Sequence, residues 1–245
     1  MKIAIVIPAR YESSRFPGKP LIDILGKSLI ERVWERCCLA ISLENVYVAT
    51  DDSRIEEHCK AKGIQTIMTS LSCLTGTDRV YEASKKINAD LFVNVQGDEA
   101  LINPNDIINC IKTYKREPGF VYCGMCDITN AKDFFDTTVP KVVVDPDNTC
   151  IYMSRAGVPT TKKLEFVEGK RQVCIYVFPP EALKAFGECT HKGRVEALED
   201  IELLRFFDLG YKIKMVDVSF SECAVDTPED VERLISILKK NNASS

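Results

Sequence analysis

Apolar positions along the chain fall into short, nearly unbroken β-branched runs: IAIVI at 3–7, VYVAT at 46–50, TIMTS at 66–70, LFVNV at 91–95, KVVVD at 141–145, IYV at 175–177 and KMVDV at 214–218. Runs of this length with so little polar alternation predict strands covered on both faces. Between the early runs the period lengthens to that of a helix. Residues 28–41 set Leu29, Val33, Cys37 and Ile41 on one stripe and turn Glu31, Arg32, Glu35 and Arg36 to water. Residues 51–63 open on capping aspartates and close on Gly63, the usual left-handed stop. Residues 77–87 and 103–117 repeat the helical pattern.

Strands that alternate with helices of this length require parallel neighbours and right-handed crossovers. The expected fold class is therefore α/β: a Rossmann-like, mostly parallel sheet flanked by helices, at least through residue 115. From about 120 to 177 the rhythm changes to strand-like pieces and turns, which predicts a smaller β-rich excursion, an arm suited to packing on a second subunit. A helix over 196–209 and a last helix over 228–240 restore the earlier pattern, and the closing KNNASS is expected to fray. With 245 residues, 45% of them apolar, the chain is expected to form a single domain over 1–245.

Charge narrows the partners. A formal charge of -4, from 32 basic and 36 acidic residues, argues against a general nucleic-acid or membrane-surface binder. No apolar stretch is long enough to span a bilayer, so a cytoplasmic protein is expected. The 11 cysteines are an odd and scattered set, and Cys123 with Cys126 forms a C-x-x-C without a second pair. Reduced, buried thiols fit this pattern better than a zinc or redox site.

Ligands of such sheets sit beyond the carboxyl ends of the strands. Those ends carry Ala9-Arg10, Thr50-Asp51-Asp52 and Gln96-Gly97-Asp98-Glu99. The first strand runs into PARYESSRFPGKPL, which resembles a phosphate loop but fails its pattern. A P-loop would need glycine where Ser13 stands and a hydroxyl where Pro20 stands, and Gly18 alone does not make a dinucleotide fingerprint. What remains is three long cations, Arg10, Arg15 and Lys19, between a strand and a helix. They suit a triphosphate, with guanidinium forks and a mobile ammonium; a solvated basic turn has the same composition.

IPARYESSRFPGKPL resembles the opening signature of the CMP-sugar synthetases that activate ulosonic acids, above all the 3-deoxy-manno-octulosonate cytidylyltransferases. VATDD, TGTDR, VNVQGDE, KVVVD, YMSRA and VDTPEDVER follow in that family's order, so the similarity spans nearly the whole chain. The resemblance implies a homodimeric enzyme that joins CMP from CTP to an ulosonic acid, releases pyrophosphate, and serves lipopolysaccharide or capsule synthesis. It implies Mg²⁺ held by Asp98 and Asp226, with Arg10 and Lys19 as catalytic cations. It assigns CTP to Pro8, Ala9, Arg10, Arg15, Lys19, Thr75, Gly76, Thr77, Arg79, Gln96 and Asp98. The sugar falls to Gln96, Lys141, Arg155, Gln172, Tyr176, Glu199 and Glu202.

Several of these residues have plainer readings. Asp226 in DTPED serves equally as a helix cap ahead of Pro228. TGTDR reads as a helix start capped by Thr77 or Asp78, and Lys141 and Arg155 fit a subunit contact as well as a sugar pocket. Glu199 and Glu202, three apart on one expected helix, fit a solvated face as well as sugar hydroxyls. Neither histidine, His58 or His191, is needed as a base, and both are expected at the surface. The chain also departs from the family. It has Gln172 and Cys174 where relatives have histidine and glycine, and Leu203 where they have glutamine. Lost donors change which hydroxyls a pocket accepts, so the nucleotide half is kept better than the sugar half. A different base or acceptor, or a silent nucleotide-binding homologue, are the competing expectations.

Overall fold

The computed structural model describes residues 1–12, 16–219 and 224–243; Arg15, expected at the triphosphate, lies outside the described residues. In chain order the strands and helices are β1 (Ile3–Ala9), β2 (Asp23–Ile24), β3 (Lys27–Ser28), α1 (Leu29–Cys38), β4 (Val46–Thr50), α2 (Ser53–Ala61), β5 (Gln65–Met68), α3 (Gly76–Ser84), β6 (Leu91–Val95) and α4 (Pro104–Arg116). There follow β7 (Val121–Asp127), α5 (Ala131–Phe135), β8 (Lys141–Val144), β9 (Cys150–Ser154), β10 (Lys170–Phe178), α6 (Pro180–Glu188), α7 (Arg194–Glu199), α8 (Arg205–Asp208), β11 (Ile213–Asp217) and α9 (Pro228–Ala243).

The main sheet runs in the order β11-β7-β10-β6-β1-β4-β5. All neighbours along it are parallel except at β10, which is antiparallel to both β6 and β7. The expected α/β sheet is therefore present, with one reversed strand inside it. Alternation along β1 feeds two cores: Ile5 and Ile7 pack toward α1, α2, α4 and α9, while Ala4 and Val6 face α3 and α6. Helix starts follow the cap residues. Ser28 accepts from the Glu31 amide, Asp52 from Arg54, Thr75 from Asp78 and Asn103 from Asn105.

Three expectations change. The stretch 120–177 is not one excursion: β7 and β10 are interior strands of the main sheet, and only the β8–β9 hairpin extends from it, pairing through β8 to the start of β10. The helix expected over 196–209 is broken. Asp200 takes a left-handed conformation, φ 48, after α7, and the chain re-enters as a 3-10 turn, Glu202–Leu204, before α8. Aspartate tolerates this conformation better than most residues, and the apolar spacing of Ile201, Leu204 and Phe206 conceals the break. His58 is half-buried, its Nε2 2.8 Å from the Ser28 hydroxyl, and not simply at the surface.

Candidate active site

At the carboxyl ends of β1 and β6 lies a cleft of about 630 Å³ whose walls include Lys19, Asp98 and Asp226. The Lys19 ammonium stands 2.9 Å from Asp98 Oδ2 and 3.2 Å from Asp226 Oδ1. Each residue arrives by its own local device. Gly18, at φ 74, turns the chain into the 3-10 turn Lys19–Leu21. Gly97 lets the turn after β6 close on the end of β1. The amides of Asp226 and Thr227 both donate to Asp230 Oδ2, at 3.0 and 2.9 Å, so Asp230 anchors the start of α9 and leaves Asp226 to face the cleft. Asp230, the third residue of α9, thereby satisfies the two amides ahead of the helix. A backbone bond from the Val225 amide to the Asp98 carbonyl, 3.1 Å, stitches the two acidic segments together. Burial works to lower the Lys19 pKa, but the two carboxylates outweigh it and hold the ammonium above its ordinary range.

Pro8, Ala9, the exposed Arg10, Thr75, Gly76, Arg79 and Gln96 also line the cleft. Thr75 caps α3, and a Cβ at Gly76 would meet Gln96 Nε2 at 2.9 Å, so glycine lets the two segments touch. Arg79 is 4% exposed and tied to Asp51 Oδ2 at 2.6 Å and to the Thr69 hydroxyl. It braces α3 against the end of β4. Thr77 is wholly buried behind the wall, where its amide donates to Glu202 Oε2 at 2.9 Å.

At the far end, Gln96 Nε2 donates to Glu202 Oε1 at 2.9 Å, and Gln172 Nε2 donates to the Tyr176 hydroxyl at 2.9 Å. Burial raises the Glu202 carboxyl pKa against the opposing Thr77 amide, and pushes the Tyr176 hydroxyl well up. Arg155 lines the cleft and is locked by the carbonyls of Thr137, Glu199 and Asp200. Glu199 itself stands behind, its carboxylate accepting from Tyr152, Ser154 and the Arg155 amide. Its pKa is lowered: burial pushes upward, and those three donors overcome it. Because Asp200 reverses the chain between them, Glu199 and Glu202 do not share the helical face expected of them. Lys141 is wholly buried with its ammonium on the Asp136 carbonyl, 2.7 Å, and stands outside the cleft wall.

Sequence reasoning did not single out Arg171, Lys192 or Asp200, which also line the cleft. A second long cation beside Gln172 was the available signal for Arg171. Lys192 and Asp200, at the two ends of the short helix α7, form an ion pair of 2.9 Å at the rim. Of the departures from the family pattern, Gln172 and Cys174 line the cleft, whereas Leu203 is wholly buried in the apolar core. Among the described residues all 10 cysteines are free, Cys123 and Cys126 included, and burial raises both of those thiols.

A family model described as cytidylyltransferase matches residues 4–213. The chain is 39% identical over 253 aligned residues to the mitochondrial 3-deoxy-manno-octulosonate cytidylyltransferase of Arabidopsis thaliana, covering 99% of this chain and 85% of that one. It is 38% identical to the 8-amino-3,8-dideoxy-manno-octulosonate cytidylyltransferase of Shewanella baltica, covering 95% of this chain and 97% of the relative. A solved CMP:2-keto-3-deoxy-manno-octonic acid synthetase complexed with CTP superposes with a TM-score of 0.91 at 34% identity, covering 98% of this chain and 100% of that one. The ordered motifs, the reversed strand in an otherwise parallel sheet and these matches agree, and the chain belongs to the cytidylyltransferase family, in its CMP-3-deoxy-manno-octulosonate synthetase group.

Proposed function

We propose that the protein transfers CMP from CTP to the anomeric hydroxyl of a 3-deoxy-ulosonic acid of the manno-octulosonate kind. The hydroxyl oxygen bonds the α-phosphorus, the bond to the β-phosphate breaks, and pyrophosphate leaves. The observation that carries this reading is the meeting of Asp98 and Asp226 on one positive charge, at 2.9 and 3.2 Å, in a cleft that Arg10 also lines. The ammonium stands in for a cation between two hard carboxylate oxygens, a donor set that fits Mg²⁺. Asp98 and Asp226 would hold that ion. When bound, Mg²⁺ supplies charge neutralisation at the phosphates and polarises the oxygen it binds. Lys19, released from the carboxylates, pairs with phosphate oxygens, and Arg10 offsets charge on the departing pyrophosphate. Thr75, Gly76 and Gln96 border the nucleoside. Arg155, Gln172, Tyr176 and Glu202 border the acceptor.

A homodimer is part of the same reading. It is supported by β9, which pairs only with β8 among the described residues, and by the exposed Ile151 and Tyr152 upon it. No helix among the described residues is long and apolar enough to cross a membrane. The cytoplasmic setting is supported by the free thiols. The deciding experiment incubates the protein with CTP, Mg²⁺ and a panel of ulosonic acids, 8-amino and 8-hydroxy forms included, and reads product masses. A CMP adduct of at least one acid is expected. Products with UTP or a sugar phosphate, and none with CTP, would overturn the assignment.

A further inference from the structure

Arg205 is wholly buried, and nothing about the cleft requires it there. A buried guanidinium is stable only where carboxylates and hydrogen bonds replace its water. Its Nε and Nη2 donate to the two oxygens of Glu196, at 2.8 and 2.7 Å, and its Nη1 donates to Asp78 Oδ1 at 2.7 Å. The guanidinium carbon lies 3.9 Å from the centre of the Phe186 ring. Glu196 takes no part in the cleft wall. Asp78 reaches that wall through Thr75: its Oδ2 accepts from the Thr75 hydroxyl at 2.7 Å, while its own amide donates back to that hydroxyl at 3.2 Å. The Thr75 hydroxyl therefore accepts from the Asp78 amide and donates to the Asp78 carboxylate at 2.7 Å, with the Glu202 carboxylate as a second acceptor at hand, and Asp78 is in turn held by Arg205. Three residues earlier, Glu202 takes the Thr77 amide and the Gln96 side chain. One short segment thus grips the start of α3 at two points.

We propose that Arg205 is a positioning residue for the nucleotide, acting through Asp78 to fix the Thr75-Gly76 corner without touching substrate itself. The inference rests on the reading that CTP lies against that corner. The two carboxylates around the guanidinium then have different roles, since Asp78 transmits the position of Arg205 to the site and Glu196 neutralises it from behind.

The test compares Asp78→Asn with Glu196→Gln in the full-length protein, because removing Arg205 strands two buried carboxylates and can unfold the chain. Whichever way an amide at 78 turns, it either sets its NH₂ against the guanidinium or withdraws the acceptor that ties the Thr75 hydroxyl to Asp78. D78N is expected to raise the KM for CTP about tenfold, the size of one charge-assisted hydrogen bond, with kcat and the KM for the ulosonic acid within about twofold. E196Q is expected to lower the Tm as much or more, with the KM for CTP moved by less than about twofold. R205K, which keeps the charge and loses the fork, should fall between wild type and D78N in the KM for CTP. If D78N leaves the KM for CTP unmoved, or if E196Q raises it equally, Arg205 is structural only and the inference is overturned. Wild-type protein whose Tm is unmoved by CTP would instead overturn the nucleotide reading, and the inference with it.

Discussion

A Cβ on Gly97 would stand 2.8 Å from the carbonyl oxygen of Pro8, so the turn that delivers Asp98 lies on the end of β1 at a separation only glycine permits. The contact is with backbone, which cannot swing aside as a side chain can. Gly97→Ala is expected to destabilise the fold by about 1–3 kcal/mol, as overpacking does, and to lower turnover at least about tenfold by displacing the Asp98 carboxylate. Chemical denaturation and pyrophosphate release measure the two effects. A folded G97A protein with wild-type turnover would show that the turn has slack.

The pairing of Asp98 with Asp226 predicts comparable losses from either side. Asp98→Ala should reduce kcat about 10²–10³-fold, equivalent to about 3–4 kcal/mol of transition-state stabilisation for a preorganised electrostatic group. Asp226→Ala should fall in the same direction. Pyrophosphate release from CTP with Mg²⁺ and the acceptor is the measurement, and near-normal release by D98A would refute the mechanism.

Lys19 is an internal counter-ion to those carboxylates, so an entering Mg²⁺ competes with it. In Lys19→Met the two like charges lose that ammonium, and their demand for an external cation grows. Mg²⁺ alone should therefore raise the Tm of K19M more than that of wild type, while turnover with CTP falls for want of the ammonium. Equal responses to Mg²⁺ in the two proteins would place the ion elsewhere.

How much of this was legible depends on what each residue announces. β1, β4 and β6 declare themselves through unbroken β-branched runs. β7 does not: VYCGMCD mixes thiols, a glycine and a methionine, and its place in the sheet is set by tertiary packing, with Gly124 lying close to Val173. Asp98 stands just past the end of β6, where a ligand is expected on topology alone, and Lys19 announces itself as a long cation in the loop between β1 and β2. Asp226 is locally indistinguishable from a cap, and only its convergence on Lys19 separates the two readings. Glu202 and Arg205 escape a periodic count altogether. Their directions depend on the left-handed Asp200, which changes the path of the chain without disturbing the apolar spacing on either side.

The β9 edge carries a prediction about assembly. Ile151 is 61% exposed on a strand that pairs on one side only among the described residues, an arrangement that soluble proteins cover or charge. If a second copy covers it, Ile151→Lys should shift the protein from dimer to monomer in sedimentation at micromolar concentration. Wild-type protein that is already monomeric under those conditions would remove the basis for the dimer.

Glu202 gives a pH dependence whose sign follows from its surroundings. Burial is the leading cause and raises its pKa in the folded state above the ordinary value of 4.5, with Asp78 adding to it and the Thr77 amide opposing. A carboxyl raised on folding binds its proton more tightly in the native than in the unfolded chain. Its contribution to stability is therefore full below the unfolded pKa and is lost as the pH rises through the folded one. Glu202→Gln cannot titrate, and the Gln96 amide can turn to offer its oxygen to the new NH₂. The Tm of E202Q should accordingly gain on that of wild type as the pH climbs from about 4 toward neutrality, whatever constant offset the substitution brings. The KM for the acceptor should rise at the same time, because the turned Gln96 presents a different polar atom to the cleft. A Tm difference that is flat across that range, or that moves in favour of wild type, would mean that Glu202 is ionised at no cost where it stands.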